Sequence, residues 1–238
     1  MQKLLSKSFF SKAALLIFSV ASFSLTGCMD NDTELPEPTP TAYVSFYHGS
    51  PDAPSLDIQL NSKPINKQPF AYSTFSGYLG IQPGTHNIKF TPVNASTAYA
   101  EAARDFKEGK LYSVFAINKV EDMELLISLD SAKAPTADKA LVRVVHISPD
   151  AAAVDVNVKG TSSTPIVSDV AFKEITPFVE VASGPQSIEI KATDSNEILL
   201  TVSNTRFEAG AAYTVIVRGF ATPPTGNTND LTAQIIKN

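Results

Sequence analysis

The chain has 238 residues, 43% hydrophobic and 18% charged, which is ample apolar material for packed cores and too little charge for a disordered polymer. Its 24 acidic against 19 basic residues give a formal net charge of −5, which argues against nucleic acid as a partner. A single cysteine excludes an intrachain disulfide, so stability has to come from burial.

Residues 1–12 carry Lys3, Lys7 and Lys12 and no acid, and the apolar run 13–25 follows. That is the pattern of a secretory signal, with an apolar segment too short for a good membrane span. It closes on "LTGC", where small residues before the lone Cys28 match a lipoprotein signal-peptidase box. The expectation is a signal peptide over 1–27 and acylation of Cys28 as the new N-terminus. Lipidation also removes an otherwise unpaired thiol from an oxidising compartment. Without the three leader lysines, 16 basic residues face 24 acidic ones, a formal charge of −8. Anionic headgroups are then poor partners, and membrane attachment falls to the acyl chains. Met29 rather than an aspartate after the cysteine resembles the sorting rule for the outer membrane of Gram-negative bacteria, so the cell envelope is the expected location.

Residues 28–42 are acidic and then rich in Pro and Thr, with Pro36, Pro38 and Pro40 close together. They read as an extended tether of about 40 Å. From residue 43 the chain alternates in short β-type runs broken by Gly, Pro, Asn and Ser, with no long helical period. "VSFYH", "SLDIQL", "SGYLGIQ", "THNIKFT", "LYSVFAI" and "MELLISL" are the predicted strands of a first domain over 43–130. Residues 131–139, "SAKAPTADK", read as a linker. "LVRVVH", "AVDVNV", "TPFVEV", "QSIEIKA", "EILLTV", "AAYTVIVRG" and "TAQIIK" then fill a second domain over 140–238. A period near 100 residues suits tandem β-sandwiches and is too long for a solenoid unit.

The two halves share His-x-Ser-Pro-Asp, as His48, Ser50, Pro51, Asp52 and again as His146, Ser148, Pro149, Asp150, followed at the same spacing by Asp57 and Asp155. At a period of two, Val44, Phe46 and His48 share one strand face, as do Val142, Val144 and His146, so each histidine ends an apolar row. Ser-Pro-Asp suits a type I turn in which Asp bonds backbone amides. Asp57 and Asp155 fall on the polar side of the next strand. The motif reads as a structural joint used twice, with a cation or ligand site as the alternative reading and catalysis behind both. Its few His and Asp groups do not specify a metal, and no nucleophile and base pair accompanies either copy. His86, with Gln186 at the matching position, reads as a surface residue. Phe106, Gly109, Tyr112 and Phe207, Gly210, Tyr213 repeat a Phe-x-x-Gly-x-x-Tyr pattern like the tyrosine corner of immunoglobulin-type sandwiches.

"VSFYHGSPDAPSLDIQLNSKPI" and "VRVVHISPDAAAVDVNVKG", each followed by a Gly-containing turn and a further strand, resemble the bacterial domain-of-unknown-function family 4397. Gly49 and Pro54 in the first half, and Ala152 and Ala153 in the second, are departures that leave the motif intact. The resemblance implies an all-β fold of two tandem immunoglobulin-like antiparallel β-sandwiches in a secreted or envelope protein, and it implies no activity. The expected function is a lipid-anchored, non-enzymatic binding or structural module, with no catalytic residue, metal or cofactor. Its expected partners are the membrane through Cys28 and an envelope protein or glycan. A metal-dependent hydrolase of a periplasmic or surface polymer is the alternative.

Overall fold

β-Branched and aromatic residues in runs of five to seven, punctuated by turn formers, favour strands over helices wherever one face of each run finds a core. The computed structural model describes residues 39–160 and 165–238. The expected signal peptide, Cys28 and the tether up to residue 38 lie outside the described residues. The first half forms β1 (Ala42–His48), β2 (Leu56–Leu60), β3 (Lys63–Pro64), β4 (Phe75–Ile81), β5 (Gly84–Pro92), β6 (Ala100–Phe106), β7 (Leu111–Ile117) and β8 (Glu124–Leu129). The second forms β9 (Lys139–His146), β10 (Val154–Val158), β11 (Val167–Val170), β12 (Val179–Ala182), β13 (Gly184–Ala192), β14 (Ile198–Phe207), β15 (Ala212–Arg218) and β16 (Thr232–Lys237).

The fold is all-β, as expected, and the two halves repeat one plan. Sheets ordered β4-β1-β7-β8 and β3-β2-β5-β6 make the first sandwich, and β12-β9-β15-β16 and β11-β10-β13-β14 make the second. Pairing is antiparallel except for β1 with β7 and β9 with β15, which run parallel. Val44, Phe46, Leu56, Ile58, Ile88, Phe90 and Val114 fill the first core, and Val142, Val144, Val154, Val156, Ile188, Ile190 and Val215 the second. The tyrosine corners form as expected: the Tyr112 hydroxyl accepts from the Lys107 amide at 3.1 Å, and that of Tyr213 from the Glu208 amide at 3.0 Å.

Three strands escape the sequence patterns. β3 and β11 are short edges. β6 reads AEAARDF, with only Ala100 and Phe106 buried, because an edge strand over a half-covered face needs few apolar residues.

The larger departure concerns the outer faces of the β1 and β9 sheets. A linker between two sandwiches suggests domains on a string, yet a third core lies between these two. Tyr47, Phe115 and Ile117 from the first half meet Val145, Ile147, Ile216 and Ile236 from the second. β1 and β9 are therefore buried on both sides, which is the usual situation of parallel-paired strands. Beside this seam sits a polar network. Arg143 donates to Asp130, to Ser113 Oγ at 3.1 Å and to Thr214 Oγ1 at 2.9 Å. Asp130 also accepts from Ser113 Oγ and Tyr78 Oη, each at 2.6 Å.

Candidate functional site

The doubled motif occupies the end of each sandwich where β1 and β9 stop. Both histidines are fully buried. His48 Nε2 lies 3.0 Å from the Pro54 carbonyl oxygen, and His146 Nε2 3.0 Å from that of Ala152. A carbonyl only accepts, so Nε2 carries the proton in both rings. In the second copy, Nδ1 accepts from the Ser148 amide at 3.3 Å. In the first, the ring meets the edge of Tyr72 at 5.9 Å between centroids. Each imidazole thus holds the far side of its own loop against the strand end.

The aspartates reach further than a local turn. Asp52 Oδ1 accepts from the Val120 amide at 2.8 Å, beyond the end of β7. Asp150 accepts from the Ala221 and Thr222 amides at 2.7 and 2.9 Å, beyond the end of β15. The carboxylate therefore ties its turn to the loop that follows the parallel partner strand. Ser50 and Ser148 are buried, each hydroxyl 3.5 Å from its aspartate. Asp57 accepts from the Asn94 amide at 2.8 Å and from Asn66 Nδ2 at 3.3 Å. Asp155 accepts from the Asp169 amide at 2.8 Å and Thr193 Oγ1 at 2.9 Å. These two pin neighbouring loops to the polar side of β2 and β10. Among the described residues, no three His, Cys, Asp or Glu side chains gather in a way that would hold a metal ion.

Burial pushes the ring pKa of His48 and of His146 below the ordinary histidine value, opposed by the hydrogen bonds to Pro54 and Ala152. A histidine whose folded pKa is depressed takes up its proton more readily when unfolded. Its neutral form therefore supports the fold fully above the unfolded value of about 6.5, and that support is lost as pH falls from there toward the folded pKa. Thermal unfolding should accordingly hold a level midpoint from neutral to mildly alkaline pH and decline in mild acid. Glutamine at both positions, a non-titrating N–H donor, should flatten the decline. An unchanged slope in the double variant would show that other groups control acid stability. The His86 position supports the exchange: His86 Nε2 bonds the Gln82 carbonyl at 2.8 Å, and its counterpart Gln186 bonds the matching Ala182 carbonyl at 2.8 Å. His86 is part-buried, so the surface residue is also a loop brace.

The two motifs touch. A Cβ on Gly49 would come within 2.3 Å of Ile147 Cδ1, and Ile147 occupies the same motif position in the second half. The Pro51 carbonyl accepts from Asn227 Nδ2 at 3.0 Å and Asn229 Nδ2 at 2.6 Å, across the seam. Sequence reasoning placed the motif residues at strand ends and missed these contacts, since Asn227 and Asn229 stand in a loop with no counterpart pattern in the first half.

Residues 42–157 match the family described as Domain of unknown function (DUF4397). Those residues belong to the DUF4397 family. The DUF4397 match starts at the first residue of β1, takes in both His-x-Ser-Pro-Asp copies and ends in β10, so it crosses the linker and the seam. No curated protein matches the chain.

Proposed function

We propose that this protein is a lipid-anchored envelope module, held at the outer membrane through Cys28, in which paired sandwiches bind or space another envelope component without catalysing a reaction. In this reading residues 140–238 are a second copy of the DUF4397 domain, supported by the identical strand order of the two halves. The observation that carries the non-enzymatic part is the commitment of the motif's groups. Both imidazole Nε2 atoms and both motif carboxylates bond the protein's own backbone, and both serines are buried. A general base or metal ligand needs a free lone pair facing a substrate; the unpartnered ring nitrogen of the motif, His48 Nδ1, is fully buried and so faces none. The partner is an envelope protein or glycan.

Mass spectrometry of protein from envelopes is expected to show an acylated N-terminal Cys28, and Cys28→Ala should release the chain from membranes. A Cys28→Ala chain still membrane-bound after a high-salt wash would overturn the anchor. Chelator is expected to leave the unfolding midpoint unchanged. A drop of several degrees, restored by one divalent ion and abolished in Asp52→Ala or Asp150→Ala, would transfer the reading to a metal-dependent hydrolase of an envelope polymer.

A further inference from the structure

The two halves meet at the seam through matching positions, so each side of it is a control for the other. On one side, Phe172 and Lys173 of the second half meet the ends of β7 and β8 of the first. Lys173 Nζ lies over the Phe172 ring, 5.2 Å from its centroid, and pairs with Glu124 Oε1 at 2.6 Å. Ile117, which neighbours Glu124 across the β7–β8 pair, is fully buried. Here a cation rests on a ring and an acid of the chain neutralises it.

On the other side, loop bonds and strand register assign the counterparts. The Ser73 and Lys173 amides donate to the His48 and His146 carbonyls, so Tyr72 stands where Phe172 stands. Arg218 neighbours Thr232 as Ile117 neighbours Glu124, so Arg218 takes the place of Ile117 and Thr232 that of Glu124. The Arg218 guanidinium carbon lies 5.0 Å from the centroid of the Tyr72 ring, so a cation again covers the ring. The acid is missing. Among the described residues Arg218 makes no ion pair. Its Nε and the Tyr72 hydroxyl are buried without a hydrogen-bond partner, although the guanidinium is close enough to oppose the rise that burial imposes on the pKa of the phenol.

Leaving a guanidinium nitrogen and a phenol unpartnered costs free energy that Ile117 and Phe172 avoid, so packing at the seam does not account for Arg218 and Tyr72. A planar guanidinium beside a hydroxyl suits a carboxylate, which it can receive through two parallel hydrogen bonds. Both side chains are only half-buried, so part of each still meets the solvent from which a ligand enters. Tyr72 also stands edge-on to His48, which puts the pair at the motif end of the seam.

We propose that Arg218 and Tyr72 form a docking point for a carboxylate from outside the chain, supplied by an acidic side chain of a protein partner in the way that Glu124 supplies one on the opposite side. The inference deepens the binding reading above, rests on that part of it, and is independent of the lipid anchor.

The test follows the Arg218 Nε–H resonance in the full chain, assigned by its loss in Arg218→Lys. The probe is N-acetylglutamate amide, whose only acid is the side-chain carboxyl. Millimolar probe is expected to shift this resonance to saturation, and 100 mM should raise the unfolding midpoint by about 3 °C over chloride of equal ionic strength. Arg218→Ile with Tyr72→Phe copies the opposite side, and should be at least as stable while losing the midpoint response. Thr232→Glu, which copies Glu124, should raise the midpoint in chloride by about 2 °C and remove the response to the probe. A resonance that stays in place, or a midpoint response that survives in the double variant, overturns the site. Tighter binding of glucuronate than of the glutamate derivative overturns the protein partner and reassigns the carboxylate to an acidic glycan. A responding resonance in a chain that captures no envelope component would overturn the binding module and leave the carboxylate site standing.

Discussion

Replacing Arg143 with alanine should lower stability by about 3–5 kcal/mol, because it removes one partner of a buried ion pair and leaves the other uncompensated. Arg143 is 2% exposed and the Asp130 side chain 4%. Its guanidinium also covers the Phe178 ring at 4.8 Å. Without it, the Asp130 carboxylate keeps only the Ser113 and Tyr78 hydroxyls, and Thr214 and Ser113 lose a donor. The network joins β7 and the residue that follows β8 to β9 and β15, so the loss should shift one denaturation transition shared by both halves. A double variant, Arg143→Met with Asp130→Leu, should recover most of the stability, since an apolar pair of similar volume needs no desolvation of charge. Equilibrium denaturation measures both. A loss below about 1 kcal/mol in Arg143→Ala would mean that the pair is solvated and holds nothing together.

Tyr47→Ala should be nearly as damaging, at about 3–5 kcal/mol for a truncated aromatic in a closed core. Tyr47 is 1% exposed, packs against Phe115 at 5.9 Å between centroids, and donates its hydroxyl to Gln234 Oε1 at 2.7 Å. Burial raises its pKa well above the ordinary tyrosine value, so the hydroxyl stays protonated and remains a donor at any ordinary pH. Tyr47→Phe keeps the ring and should cost about 1 kcal/mol, the worth of the hydrogen bond to Gln234. The informative readout is amide exchange: β1 and β16 should lose protection together in Tyr47→Ala, although they belong to different sandwiches. Loosening confined to the first half would show that the two sandwiches are held independently.

The period-two rows of β1, β2, β9 and β10 made their inner faces legible, since Val44 and Phe46, or Val154 and Val156, alternate with more polar neighbours. The outer faces were legible only in hindsight. In "VSFYH" the residues between the core positions are Ser45 and Tyr47, and in "LVRVVH" they are Arg143 and Val145, a mixture that reads as solvent-facing unless a second layer is known. A buried arginine carries no local sign of its burial, because its partners Asp130 and Ser113 lie 13 and 30 residues away and its stacking ring, Phe178, lies 35 residues on. At the motif, the turn and the buried histidines followed from local chemistry. The amides that Asp52 and Asp150 capture did not, since they sit 68 and 71 residues downstream and are brought there by the parallel pairing of β1 with β7 and β9 with β15. A parallel partner is the feature that alternation alone does not announce.

The contact between Gly49 and Ile147 makes the order of the two halves matter. One copy contributes an empty position and the other the side chain that fills it, so the repeats have become complementary parts rather than interchangeable ones. A chain built from two first halves would set glycine against glycine and leave a hole at the seam. One built from two second halves would force two isoleucines into the space of one. Exchanging the halves end to end would keep the pairing of glycine with isoleucine. The two sandwiches share one strand order, and the difference at this one motif position gives each of them a fixed place.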